Sequence, residues 1–181
     1  EGDEELLVKF IDDGVLTNEE IERGLKIALL NNRVVPAFVG STLQDSGFAP
    51  LLDFIADIAP DPAQAIETAV GPDGKTAAVK VSSDGSMSAL IIKTSSDQFS
   101  GRLSYIKVIT GTFNADSEVF NIGENRKEKV GKLYRCTGKK LEEIKSLCAG
   151  DIGIAVKLPS ARTSDTLASD AACLPFVRLR H

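Results

Sequence analysis

A short polar loop, Gly40-Ser41-Thr42, is the first place in the sequence where a small ligand could be held. It follows an apolar run, residues 34–39, which has the length and composition of a buried parallel strand. Open α/β sheets bind their ligands in the loops at the carboxyl ends of such strands. A cluster of glycine, serine and threonine between a strand and a helix is also typical of a plain turn, and the residues alone leave both interpretations open.

Positive charge is concentrated between residues 126 and 145. In a strand, Lys127 and Lys129 would share one face and Val130 would lie on the other. Such a run is typical of an ordinary solvated face. It also has the composition of a surface that binds nucleic-acid phosphates, and such binding would depend strongly on salt. The cations of the run are Arg126, Lys127, Lys129, Lys132, Arg135, Lys139, Lys140 and Lys145, with Glu128, Glu142 and Glu143 among them.

Catalytic chemistry is not predicted for these residues. The sequence contains no G-x-x-x-x-G-K-[ST] phosphate loop, no G-x-G-x-x-G fingerprint, no G-x-S-x-G elbow and no H-E-x-x-H pair. Its one histidine, His181, argues against a histidine-dependent nucleophile or a histidine metal site. Paired acids such as Glu19-Glu20 point apart on a helix, because neighbours in sequence do not share a helix face. We therefore predict no catalytic residue and no metal ligand.

Hydropathy and cysteine content bear on the compartment. No stretch approaches the roughly 20 apolar residues of a membrane-spanning helix, and the acidic opening is the reverse of a signal peptide's cationic start. Cys136, Cys148 and Cys173 form no C-x-x-C pair, which is typical of reduced structural thiols. We expect a cytoplasmic protein without a membrane partner. The chain starts with Glu1 and stops just after an apolar run, which suggests a piece excised from a longer protein.

Charge divides the 181-residue chain into two unlike parts. Residues 1–67 hold 14 acidic and 4 basic side chains, whereas residues 68–181 hold 12 acidic and 17 basic ones. Such asymmetry predicts separate modules, of which the second could face something anionic.

Helical patterns dominate the first part. Apolar residues recur at helical spacing over residues 3–11, and the pair Thr17 and Glu20 has the spacing of a capping box that starts a second helix. A third helix is predicted after the loop, with Pro50 in its first turn. With the strand at 34–39, this order belongs to an α/β domain, and Pro60 and Pro62 mark its boundary.

The second part has the pattern of an all-β domain. Short alternating or apolar stretches follow one another at roughly even spacing, which predicts an antiparallel barrel or sandwich. The predicted strands are residues 76–81, 88–94, 102–109, 117–121, 128–137 and 151–158.

Several motifs, in the right order along most of the chain, resemble those of elongation factor G, a family of translational GTPases. The first is residues 34–41, Val-Val-Pro-Ala-Phe-Val-Gly-Ser, followed by Pro-Leu-Leu-Asp at 50–53 and Pro-Asp-Pro at 60–62. Downstream the matching segments are 97–103 with Val108 and 110–112, then 126–133, 142–144, 149–152 and 165–167. The resemblance implies that residues 1–62 are the C-terminal part of a GTPase domain, 63–70 a linker, 71–176 the barrel of domain II and 177–181 the start of a further segment.

The resemblance also implies a nucleotide contact. Gly40, Ser41 and Thr42 correspond to a guanine-contacting loop that family members write as Gly-Ser-Ala, in which backbone amides approach the base oxygen. The phosphate loop, the switch regions and the main guanine-specificity motif would lie upstream. GTP or GDP with Mg²⁺ is therefore expected in the intact parent, and these residues alone are expected to bind no nucleotide and to be inactive.

The second domain of this family is a barrel that lies against RNA of the small ribosomal subunit. Arg126, Lys127, Lys129 and Lys132 match its basic strand, and the resemblance makes them candidate RNA-binding residues. The expected partner is the ribosome, with no DNA and no membrane, and the expected state is a monomer.

Departures from the family pattern leave the role open. Cys-Thr-Gly-Lys at 136–139 replaces a Met-His-Ala-Asn stretch, and Ser164 replaces the glycine of Gly-Asp-Thr-Leu. These changes suggest a diverged paralogue. The alternatives are a ribosomal-protection, release or recycling factor, or a non-catalytic RNA- or protein-interaction module.

Overall fold

A computed structural model of the protein describes residues 3–71, 73–97, 101–138 and 140–176. The chain divides into two units, Glu1–Ala65 and Ile66–His181. The division falls inside the segment 63–70 that the sequence predicted as a linker, and residues 66–70 of that segment form a strand instead. This strand pairs with residues 76–80, a partner that the proline-rich signal just upstream could not reveal.

The first unit holds the three helices that the sequence predicted. Helix α1 spans Glu4–Asp13, α2 spans Asn18–Leu30 and α3 spans Phe48–Asp57, and a 3-10 helix follows at Pro62–Gln64. Helix α1 starts where the Asp3 carboxylate accepts hydrogen bonds from the amides of Glu5 and Leu6. It ends at Gly14, whose φ of 72° is the left-handed conformation in which glycine is strongly favoured.

Helix α2 begins at the predicted capping box. The Thr17 hydroxyl accepts the Glu20 amide at 3.3 Å, and the Glu20 carboxylate accepts the Thr17 amide at 2.8 Å. The other oxygen of Glu20 accepts a hydrogen bond from Lys9 on α1 at 2.5 Å. Arg23 on α2 likewise donates to Asp3 at 2.8 Å. The two helices are thus joined by the same acidic residues that cap them.

The strand predicted over residues 34–39 is wrong. These residues have no regular secondary structure, and Val35 and Val39 are 93% and 96% exposed. The Phe38 ring packs edge-to-face against the ring of Phe54, with 4.9 Å between the ring centroids. A strand requires a neighbour for its backbone groups, and none of the described residues lies beside this segment as a strand.

The second unit is built from antiparallel strands, as the sequence predicted. The strands are β1 Ile66–Val70, β2 Thr76–Lys80, β3 Ser88–Asp97, β4 Gly101–Thr110, β5 Thr112–Asn114, β6 Glu118–Asn121, β7 Arg126–Lys129, β8 Leu133–Thr137, β9 Lys140–Ile144, β10 Ser146–Cys148, β11 Ile152–Val156 and β12 Thr166–Ala168. Strands β1 and β2 form a hairpin, β5 pairs with β10, and the remaining strands form one sheet in the order β7-β6-β12-β3-β4-β11-β8-β9.

The sheet closes into a barrel because one stretch of chain pairs on both sides. The sequence predicted a single strand over 128–137, and the structure breaks it into β7 and β8 at residues 130–132. Before the break the chain pairs with β6, where the Val130 amide donates to Ser117 O. After it the chain pairs with β11, where the Val156 amide donates to Lys132 O. Closure leaves fewer exposed strand edges.

A continuous apolar core fills the barrel. Its members are almost wholly buried and come from both halves of the sheet as well as from β5 and β10, so removing any strand that contributes to it would expose apolar surface. They are Ala89, Ile91, Ile106, Val108, Phe113, Val119, Val130, Leu133, Leu147, Ala155, Leu158, Ala161 and Leu167.

Among the described residues no helix is long and apolar enough to cross a membrane.

We predict that Gly153→Ala destabilises the barrel by about 1 to 3 kcal/mol, the usual range for overpacking a core. A Cβ at this position would lie 2.5 Å from Cδ1 of the buried Leu147. Urea unfolding of the two proteins measures the difference. The same change made in a Leu147→Ala background should cost less, because the opposing methyl group is gone, and equal costs in the two backgrounds would contradict the prediction.

Candidate functional site

The polar loop of the first unit is closed by a pair of backbone hydrogen bonds. Ser41 N donates to Ser46 O at 3.0 Å, and Ser46 N donates to Ser41 O at 3.1 Å. Two glycines lie at the neck of the loop, where a Cβ on Gly47 would meet Val39 O at 2.5 Å and Gly40 Cα at 2.8 Å. The φ of Gly47 is 84°, so the position requires glycine for space and for conformation.

Residues 42–46 of the loop are exposed. The amide of Ser41 is used by the loop closure, whereas Thr42 is exposed and makes no hydrogen bond to the described residues. A backbone amide that makes no hydrogen bond within the protein can donate one to a carbonyl oxygen, such as that of a nucleobase. It cannot hold a phosphate chain, which needs several convergent donors or cations.

The basic strand β7 has the alternation that the sequence predicted. Arg126, Lys127 and Lys129 are exposed, whereas Glu128 and Val130 are buried. Lys127 and Lys129 therefore lie on the outer surface of the barrel, with their backbone held on one side by β6, and Arg126 is exposed at the first residue of the strand although it has the parity of Glu128. Lys132, the last residue of the break between β7 and β8, is also exposed.

Two of these four cations are paired with glutamates. Lys127 donates to Glu118 at 2.6 Å, and Lys132 donates to Glu143 at 2.6 Å. Hydrogen bonding to its glutamate raises the pKa of each lysine above its ordinary value, so both lysines are fully charged at neutral pH. Within the part of the chain that the structure describes, Lys129 makes no ion pair.

Beneath the basic strand lies a buried polar network that the sequence did not predict. Asn121 Nδ2 donates to Glu128 Oε1 at 2.9 Å and to Asp165 Oδ2 at 3.1 Å. Asn121 Oδ1 accepts the amide of Glu124, and Asp165 Oδ2 accepts the amide of Arg162. One asparagine thereby ties β6 to β7 and to the residue before β12.

The burial of Glu128 has a signal in the sequence. Glu128 is only 6% exposed, and its second carboxylate oxygen has no hydrogen-bond partner among the described residues. In Lys127-Glu128-Lys129-Val130 the period of two places the glutamate on the same face as the valine. Its position within a run of charges does not make it a surface residue, because the alternation assigns it to the interior.

The other cations of the run are dispersed. Arg135 lies opposite Glu142 in the β8–β9 pairing, and Lys140 donates to Glu142 at 2.8 Å. Lys139 lies outside the described residues, as do residues 98–100 of the family motif. Over the described ranges, no group of three or more histidine, cysteine, aspartate or glutamate side chains is arranged to hold a metal ion.

We predict that Asn121→Ala destabilises the second unit by about 1 to 3 kcal/mol. The change removes the amide hydrogens that Glu128 and Asp165 share, and it leaves two carboxylates without that donor. Thermal or urea unfolding provides the measurement. Asn114→Ala is the matched control, because Asn114 lies exposed on β5 and its side chain makes no hydrogen bond to the described residues. Equal losses in the two variants would contradict a structural role for the network.

Comparisons with known proteins agree with the fold. Residues 86–170 match the family model described as elongation factor G domain 2. The chain is 37% identical over 172 residues to elongation factor G 2 of Desulfotalea psychrophila, covering 94% of this chain and 25% of the relative. A crystal structure of a protein from Thermus thermophilus superposes with a TM-score of 0.69 at 24% identity, over 98% of this chain and 25% of the other.

Fold and sequence together define a segment of the translation elongation factor class, in which a helical unit is followed by a β-barrel. The chain belongs to the elongation factor G family, and residues 86–170 are its domain 2. It spans about a quarter of the length of these two relatives.

Proposed function

We propose that this chain is part of a ribosome-associated translational GTPase whose barrel lies against RNA of the small ribosomal subunit. The family membership supports a role in translation elongation, and the relative from Desulfotalea psychrophila is named for that role. Such a protein would work as a monomer in the cytoplasm, where ribosomes are.

The RNA contact is proposed because basic residues are exposed on β7 and in the turn that follows it. Arg126, Lys127, Lys129 and Lys132 are all exposed, and the buried side chains between them fix the backbone that holds them. Lysine and arginine on a rigid strand can neutralise backbone phosphates without reading base identity. Such a surface suits a nucleic acid that is recognised by the arrangement of its backbone phosphates and not by its base sequence.

The polar loop would serve the nucleotide of the same protein. We propose that the Thr42 amide donates to the base oxygen of GTP or GDP, because the Ser41 amide is already used within the loop. At the neck of the loop, Gly40 and Gly47 pack so closely that neither has room for a side chain. When bound, GTP with Mg²⁺ supplies the phosphoryl group that is hydrolysed, and residues outside this chain would hold the phosphates and the metal ion.

The proposal is tested by GTP turnover of the parent protein that carries this chain, measured with and without ribosomes at low and high salt. We expect ribosomes to stimulate turnover and high salt to weaken the stimulation. Turnover that ignores ribosomes in both conditions would overturn the proposal.

We predict that Thr42→Pro in the parent protein weakens binding of GDP about tenfold or more, because proline has no amide hydrogen to donate. Thr42→Ala is the matched control and should bind GDP within about threefold of the unmodified protein, since it keeps the amide. Fluorescent GDP titration gives both affinities. Equal affinities of the two variants would show that the Thr42 amide does not contact the base.

We predict that Lys129→Gln weakens binding of small-subunit RNA to the chain and lowers the slope of log affinity against log salt by about 0.7 to 0.9, the value for one lost phosphate contact. Lys129 makes no ion pair within the described ranges, so its charge is available. Lys80→Gln, on the exposed end of the β1–β2 hairpin, removes the same charge elsewhere and should leave the slope unchanged. The same slope change in both variants would contradict a contact by the basic strand.

A further inference from the structure

The ion pairs on the basic strand have a shared geometry. Glu118 lies directly opposite Lys129 in the β6–β7 register, yet its carboxylate pairs with Lys127, two residues away on the same face. Glu143 lies directly opposite Tyr134 in the β8–β9 register, yet it pairs with Lys132, again two residues away. Diagonal cross-strand neighbours are within reach of long side chains, so both pairs are natural products of the register.

These pairs divide the candidate cations into two kinds. Lys127 and Lys132 each have an acidic oxygen at 2.6 Å, whereas Arg126 and Lys129 make no ion pair with the described residues. A phosphate that approaches a paired lysine must displace a carboxylate, while one that approaches an unpaired cation displaces only water and counterions. The surface that β7 and residue 132 present therefore carries less available charge than its composition suggests.

We propose that Glu118 and Glu143 limit the affinity of this surface for RNA by holding Lys127 and Lys132 in ion pairs that the phosphate backbone has to displace. The inference rests on the proposed function, because it takes RNA to be the partner. The pairs are solvent-exposed, with side-chain exposures between 55% and 70%. Each can therefore exchange its partner without rearrangement of the barrel, at the modest cost of a surface salt bridge.

The acidic partners thus act on binding through the lysines and not through direct contact with RNA. Arg126 and Lys129 would provide the first attraction, and the paired lysines would add their charge only when phosphates reach them. A polyanion that contacts only one part of the strand gains little from the charge of the paired lysines. One that reaches both the unpaired and the paired cations gains all four contacts.

The test is binding of small-subunit ribosomal RNA to the 181-residue chain, measured for matched variants at one salt concentration. Glu143→Gln should raise the affinity about two- to fivefold, the equivalent of one exposed ion pair. Glu142→Gln is the matched control: it changes the net charge equally at the next residue, but its carboxylate bonds Lys140. Glu118→Gln should raise the affinity by a similar factor.

A double-variant cycle separates release of a particular lysine from a general change of charge. Glu143→Gln should raise the affinity far less in a Lys132→Gln background, because no paired lysine remains to be released. Glu118→Gln should likewise lose its effect in a Lys127→Gln background. Thermal unfolding of each variant, expected to match the unmodified chain, shows that the barrel is intact.

The outcomes distinguish this inference from the proposed function. If Glu143→Gln and Glu142→Gln raise the affinity equally, or if the gain survives in the Lys132→Gln background, the inference is overturned. The proposed RNA contact would still stand in that case, provided that Lys129→Gln weakens binding. If Lys129→Gln and Arg126→Gln leave RNA binding unchanged, or if no variant binds RNA, the proposed contact is overturned and the inference with it.

Discussion

Closure of the barrel depends on one stretch of chain that pairs with two different strands. Residues 126–129 pair with β6, residues 133–134 pair with β11, and the three residues between them turn the backbone from one partner to the other. Gly131 lies at this turn, where a Cβ would come within 3.0 Å of Val156 O. This change of pairing partner closes the interior of the barrel and places the basic residues on its outside.

The same change of partner explains why exposed charged residues and buried residues alternate along this stretch of the chain. Val130 and Leu133 enter the core on either side of the turn, while Lys129 and Lys132 remain outside. Glu128 faces inward with the apolar residues, and an inward carboxylate requires hydrogen-bond donors. Asn121 supplies one of them and shares its amide with Asp165, so the register of β6 against β7 and the start of β12 are coupled through one side chain.

Local signals in the sequence predict the structure correctly, whereas features that depend on distant partners escape them. The capping box at Thr17 and Glu20 is complete within four residues, and it forms as predicted. Strands β5 and β12 have three residues each; β5 depends on its pairing with β10, and β12 on its pairing with β3 and β6. Residues 34–39 have the composition of a strand without a partner in the described residues. Composition can show that a segment would form a strand beside a pairing partner, but it cannot show whether the fold provides that partner.

The candidate site shows the same limit at the level of side chains. The period of two predicted that Lys127 and Lys129 face outward, and the structure confirms it. What the period cannot give is the cross-strand register, and the register determines that Glu118 and Glu143 come within reach of Lys127 and Lys132. A count of charges along the chain therefore describes the sign of this surface but overstates its strength. The rigid backbone fixes where the cations lie, and the exchangeable carboxylates beside them determine how much of that charge a phosphate chain meets.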